Sequence, residues 1–372
     1  MKNFAIIATF LFASASLLAK EPIVETFDLA MGDTLDFSVR NGGSLEIKGW
    51  DRPTVELRYT LSSRNSDFFL ESSRDGNTLT LIGDEDDNRK HGVNMKIMMP
   101  YQANLKLYTS GGNVSLNNLE GVITGQTMGG NFDFEQVFGE IEFRTMGGNV
   151  SGEDSELTGW IKTMGGNMNF KRVVGAFDSE TMGGNVNMNN EGTFDNLDYA
   201  NTPINLKTMG GNVGVDDAPA GVKAHTMGGN ITIGKANQFV DADTKGGNIS
   251  VDQIDGWIKA HTLGGDVTVT MTGDPATGDR DIEISSKGGD VTLYLPEDFG
   301  ATFDVEIEIS RDRRQEADII NDFGLQKTVD NDWTYKRGGS SVKTLKAQGS
   351  YGDGRHNVTV RTIDGVVEIR RK

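Results

Sequence analysis

From about Leu105 to Leu295 apolar residues return at every second position, and the alternation breaks at regular intervals on a Gly-Gly pair. Ile141, Phe143 and Thr145 alternate with Glu142 and Arg144. The same parity runs through Val222, Ala224, Thr226, then Val240, Ala242, Thr244, then Ile258, Ala260, Thr262. After each Gly-Gly a second run starts, with Val213 and Val215, Ile231 and Ile233, Ile249 and Val251 on one side and Gly214, Thr232 and Ser250 between them. A period of two predicts strands with one buried face, and the glycine pairs predict sharp corners between them.

The corners share one phrase. TMGGNV stands at Thr145, Thr181 and Thr208, with near copies at Thr109, Thr127, Thr163, Thr226, Thr244 and Thr262 and a last variant, SKGGDV, at Ser286. Seven of the nine steps between these anchors are 18 residues; the steps from 181 to 208 and from 262 to 286 are 27 and 24. The extra residues, "NEGTFDNLDYANTP" and "TMTGDPATGDRD", are expected to bulge from a corner. A coil of 18 residues cannot bury its inner face alone and must stack on its neighbours. The expected fold is all-β: a parallel β-solenoid of about ten 18-residue coils with a β cap at each end. Outward positions agree with that register. Lys223, Asp241, Lys259 and Glu283 fall in one column, and Lys207, His225, Asp243 and His261 in another, so charges alternate as cross-strand neighbours prefer.

Two further columns run through the phrase. Asn113, Asn131, Asn149, Asn167, Asn185, Asn212, Asn230 and Asn248 form an expected structural ladder of stacked amides, with Asp266 and Asp290 in the last places. Two aligned carboxylates there should repel unless the second insertion separates them or a cation lies near. Met128, Met146, Met164, Met182, Met209 and Met227 follow the inward Thr. The Gly-Gly corner is expected to fold them under the turn as padding; the alternative is an exposed, adaptable apolar interaction stripe.

Composition and charge narrow the classes. The 372 residues include 48 Gly and 7 Pro, with 36% hydrophobic residues, which suits many short strands better than a helical enzyme. A net charge of −18 argues against nucleic acid and anionic membrane surfaces as partners. Lys2 followed by the apolar run Phe4 to Leu18 reads as an export signal over 1–19, and no later run is long and apolar enough to span a bilayer. The chain has no Cys, which removes thiol catalysis, Cys-based metal sites and a lipid-modified cysteine. The remaining boundaries read as an antiparallel β cap over 20–100, the repeat domain over 101–295, and a second cap over 296–372 whose end, "GRHNVTVRTIDGVVEIRRK", looks like a degenerate coil.

The segments "SLEIKGWDRPTVEL" and "IMMPYQANLKLYTSGGNVSLNNLEGVITGQT", followed by Thr-x-Gly-Gly-Asn coils, resemble the bacterial putative-adhesin family of β-strand-repeat proteins, a domain of unknown function. The resemblance covers nearly the whole chain after the export signal. It implies a β-helix-like fold and an extracytoplasmic location, in the periplasm, secreted or at the cell surface, and it brings no catalytic residues with it.

Candidate chemistry is sparse. His225, Asp243 and His261 share a column, but the two imidazoles are two ladder steps apart, so ion pairing is the expected role. Asp84 to Asp87 lacks the spacing of a calcium loop and reads as a solvated hairpin tip. Trp160 and Trp257 offer faces for sugar stacking, although single exposed aromatics are ordinary. The Gly-Gly pairs precede strands rather than helices, so they are not phosphate cradles. The expectation is an exported, non-catalytic envelope protein, adhesin-like, with no catalytic, cofactor or metal site, that presents a surface to protein, glycan or another copy of itself. The alternative is a polysaccharide-active β-helix lyase or hydrolase, which would need long loops walling a groove and carboxylates set to work together.

Overall fold

The computed structural model describes residues 21–40, 42–61, 68–85, 92–190, 202–311, 317–335 and 341–372. Strands and turns account for these residues, and no helix forms among them. The export signal at 1–19, most of the first insertion and Asp86 and Asp87 of the acidic run lie outside the described residues. The chain divides into two compact units, Met1–Phe177 and Asp178–Lys372.

In the first unit the full repeats Val114–Thr127, Phe132–Thr145 and Val150–Thr163 are 14-residue strands, each followed by a four-residue corner such as Met128 to Asn131. Neighbouring strands pair in parallel one period apart, with Ile123 beside Ile141, Phe143 beside Ile161, and Thr127, Thr145 and Thr163 in line. Each strand bends halfway. Asn118, Gln136, Asp154 and Arg172 stand 18 residues apart, and each has a φ between 51° and 54°. This left-handed conformation is costly for most side chains, and Asn and Asp tolerate it best. Arg172 joins its bend to that of the preceding strand by ion pairs of 2.5 Å to Asp154 and 2.6 Å to Glu153, and the hydrogen bonds of Lys171 and Arg172 hold the Glu153 carboxyl below its ordinary pKa.

The inward positions are buried as the alternation predicts, and size is matched between rungs. Phe143 lies beside Gly125, where an added Cβ would come within 2.4 Å of the ring, and Phe134 lies beside Gly152 in the same way at 2.1 Å. Phe132 and Phe143 stack with centroids 3.6 Å apart. In the second unit the core of the repeats is aliphatic, built from Val213, Val215, Ile231, Ile233, Ile249, Val251 and Ile258, and the buried Phe299, Phe303 and Phe323 lie beyond the repeats. Here Ile231–Thr244 and Ile249–Thr262 pair in parallel, and the column Lys223, Asp241, Lys259, Glu283 is in register. The 271–281 insertion is held down by the buried Arg280, which pairs with Asp255 at 2.6 Å and donates to the Asp274 carbonyl at 2.9 Å.

The ends of the two units depart from chain order. In the first, Thr34–Val39 pairs in parallel with Thr78–Gly83 on one side and Asn104–Thr109 on the other. Leu45–Trp50 does the same between Met95–Pro100 and Val114–Asn117. An early segment is thus a rung between two later ones. The antiparallel pairing expected over this region occurs outside it, where Ile23–Asp28 pairs with Thr54–Tyr59 and Phe68–Asp75 with Thr78–Glu85. In the second unit the final strands, His356–Ile363 and Val367–Arg371, pair in parallel with Ile282–Ser285 and Val291–Leu295. Their other edges carry Ala301–Glu308 and Ile319–Asn321. The last segment of the chain is again an inner rung, and the antiparallel strand Ser341–Tyr351 lies beyond it against Ala301–Ser310.

Candidate functional site

The corner phrase assigns one task to each letter. The buried Thr faces two ways. Thr226 Oγ1 donates to the Gly211 carbonyl of the preceding coil at 2.7 Å and accepts the Gly229 N–H of its own coil at 3.3 Å. Thr145, Thr163, Thr244 and Thr262 repeat both bonds, and Ser286 serves in the last copy because only the hydroxyl is needed. Both partners are backbone groups at a turn, where an unpaired one would be costly.

The two glycines differ. At the second, an added Cβ would lie 2.1 Å from the previous coil's carbonyl oxygen at Gly166, Gly211 and Gly229 and 2.0 Å at Gly247 and Gly265. At the first, Gly129, Gly147 and Gly264 face open space, and Gly210 and Gly228 meet nothing nearer than 3.5 Å. Positive φ occurs at the second glycine of only the early copies, Gly112 and Gly130, so close approach is the general requirement and turn conformation is not.

The Asn column is a ladder of side chain to backbone. Oδ1 of Asn113 accepts the N–H of Asn131, Asn131 that of Asn149, and Asn149 that of Asn167, at 2.9–3.0 Å. In the second unit Asn185, Asn212, Asn230 and Asn248 accept in turn from the N–H of the next coil at 2.8–2.9 Å. Amide-to-amide stacking is therefore not the bond that forms. Asp266 and Asp290 take the same acceptor role: Asp266 accepts the Asp290 N–H at 2.9 Å and Asp290 the Val366 N–H at 2.8 Å. One acceptor oxygen is all the position requires. Asn230→Asp should accordingly leave the melting temperature nearly unchanged, while Asn230→Ala should cost about 1 kcal/mol in chemical denaturation.

The Met column corrects the padding expectation. Met128, Met164, Met182, Met209 and Met227 are 36–45% exposed, and Met146 is half-buried. The corner does not fold them under, because the space beneath is filled by the Thr hydroxyl and its two backbone partners. Polar atoms approach two of the sulfurs: Gln126 Nε2 lies 3.2 Å from Met128 Sδ and Arg144 Nη2 3.5 Å from Met164 Sδ. From Thr127 to Asn131, from Thr145 to Asn149 and from Thr163 to Asn167 no residue is ionisable. The corners themselves thus carry no ionisable residue on a chain of net charge −18, and Arg144 reaches one of them from the flanking strand.

Elsewhere the chemistry is modest. His225 Nδ1 lies 3.5 Å from Asp243 Oδ1, an ordinary surface pair, and His261 takes the next rung beyond Asp243. Among the described residues no group of three or more His, Cys, Asp or Glu is placed to hold a metal. Trp257 is stacked on Phe239 at 5.0 Å and Trp160 carries the Lys162 ammonium over its ring at 5.4 Å, so each has one face occupied. A groove of about 820 Å³ in the first unit is lined by Ser44, Glu46, Arg58, Tyr59, Asn94 and Lys96. Its charges are paired, Lys96 with Glu46 at 2.8 Å and Arg58 with Glu56 at 2.6 Å. Burial, and then the hydrogen bond to Glu25, push the Tyr59 phenol well above its ordinary pKa.

The sequence profile of the Toastrack DUF4097 family matches residues 171–370, more than half of the chain. The chain belongs to the Toastrack DUF4097 family. Toastrack DUF4097 is a domain of unknown function, so membership brings no reaction and no ligand. No curated protein matches the chain. Among solved structures, a putative cell adhesion protein from Clostridium sporogenes is 10% identical, with 95% of this chain and 100% of that one covered and a TM-score of 0.19. A putative lipid binding protein from Parabacteroides distasonis is 12% identical over 74% of this chain and 90% of that one, with a TM-score of 0.23. At such scores neither superposition carries weight for this Toastrack chain.

Proposed function

We propose that this Toastrack protein is a non-catalytic, adhesin-like component of the cell envelope, exported by its N-terminal segment and folded as a parallel β-solenoid of about ten coils. Its corner strip is the working surface, and the partner is protein, glycan or another copy of the chain. The observation that carries this reading is the exposure of the Met column on corners that hold no ionisable residue of their own. A soluble chain with strong net charge repels its own kind everywhere except at neutral apolar ground, and such ground is where association starts. Thioether side chains suit it, being flexible enough to fit more than one contact shape.

The test replaces Met128, Met146, Met164 and Met182 by Thr together. The Met side chains stand on the corners and fill no core position, so the melting temperature should stay within a few degrees of the parent. Sedimentation velocity over a range of concentrations should show weaker self-association, and capture of envelope glycans or proteins on a surface should fall. Unchanged association and capture in a folded quadruple variant would remove the strip from the function.

A further inference from the structure

We propose that Met182, Met209 and Met227 form a binding site for a soft, monovalent d10 cation, Cu(I) or its redox-inert stand-in Ag(I). This goes beyond the association surface and rests only on the exposure and alignment of the sulfurs. The column is specific for sulfur. Six successive copies of the phrase, from Met128 to Met227, carry Met, although Leu, Val or Ile would make an apolar strip as well, and Leu enters only at Leu263. What Met has and those residues lack is a thioether, which prefers soft ions such as Cu(I) and has little affinity for calcium or magnesium.

The geometry places three thioethers on one line. Thr181 pairs with Thr208 and Lys207 with His225, so Met182, Met209 and Met227 occupy successive rungs. The Met209 N–H donates to the Thr181 carbonyl at 3.2 Å, which fixes the first step directly. Rungs are about 4.8 Å apart, and the rotatable bonds of Met let neighbouring sulfurs close on a shared ion. All three side chains are exposed, and the glycines after Met209 and Met227, Gly210 and Gly228, raise no side chain beside them. The surroundings carry both signs, and Lys245 takes the rung after Met227, so the site lies on the Met182 side of the column. His225 lies two residues before Met227 in the sequence, with its Nδ1 turned to Asp243 at 3.5 Å. Lys207 stands beside Glu180 on the neighbouring rung, and the chain as a whole carries −18. In the first unit Arg144 lies beside the Met164 sulfur instead, which makes that column the poorer site.

Calorimetric titration of the full mature chain with Ag(I) in chloride-free buffer tests the proposal. The expected result is binding that the M182L/M209L/M227L variant loses or weakens by about tenfold or more. Leu keeps the volume and apolar character of Met, so folding and association should be retained and the loss can be assigned to sulfur. Met188→Leu, at a buried Met of the same unit, should bind as the parent does. Silver uptake unchanged in the triple variant, or absent from the parent, overturns the site. Failure of the association reading would instead show as unchanged sedimentation of the Thr variant, whatever silver does.

Discussion

Removing residues 356–372 is expected to melt the far end of the second unit rather than trim it. That segment is an inner rung, so its loss opens a gap between Ile282–Ser285 and Ala301–Glu308. Val358, Val360, Val367 and Ile369 are all fully buried, and together they represent about 6–12 kcal/mol of gross apolar burial. That is comparable with the whole net stability of a typical domain. Polar partners go with them: Gly289 loses the Thr362 hydroxyl, Asp290 the Val366 N–H, and Asp281 the Asn357 N–H. For the gap to close, Ala301–Ser310 would have to shift by one rung, about 4.8 Å. Circular dichroism should show a lost or split transition, and limited proteolysis should cut between residues 282 and 310. The control is deletion through Asp28, which removes an edge strand with mostly exposed side chains and should lower the melting temperature only slightly. Equal effects of the two deletions would contradict the rung order.

The second large effect separates two adjacent glycines. Gly229→Ala places a Cβ 2.1 Å from the Gly211 carbonyl oxygen, which is backbone and cannot move aside without parting the coils. The expected loss is about 3 kcal/mol or more, at the upper end for overpacking. The neighbouring coils share the strain, because the Thr226 and Thr244 hydroxyls bond the same carbonyl column. Gly228→Ala puts its Cβ 3.5 Å from the Gly210 carbonyl oxygen, an ordinary contact, and should be almost neutral in urea denaturation. If both variants unfold alike, close approach at the second glycine is not what the phrase protects.

Much of this was legible in the letters, and the failures have physical causes. Alternation told inward from outward correctly at Ile231 and Thr232 and at Ile249 and Ser250, because one buried face and one wet face leave a period-two trace. The charge columns predicted the register of Lys223, Asp241, Lys259 and Glu283 for the same reason. The Met side chains were misplaced because alternation stops at a Gly-Gly corner, and only the position of the Thr hydroxyl decides what lies beneath. The bends at Asn118, Gln136, Asp154 and Arg172 escaped notice, since four unlike residues with positive φ share no compositional mark. The rung order at the ends was hidden by erosion of the phrase. Around Gly42, Gly43 and Ser44 the acceptor is a hydroxyl, and Ser44 in turn donates its N–H to Asn94 Oδ1 at 2.9 Å. The contact survived while the letters changed.

Because each coil joins the next through the same bonds, an in-frame duplication of one repeat adds a rung without requiring any new kind of contact. The outward charges set a condition on such growth. Lys223, Asp241, Lys259 and Glu283 alternate in sign, so copying one coil here brings two like charges face to face, whereas copying a pair preserves the alternation. In this stretch an added pair of coils should therefore be better tolerated than a single one.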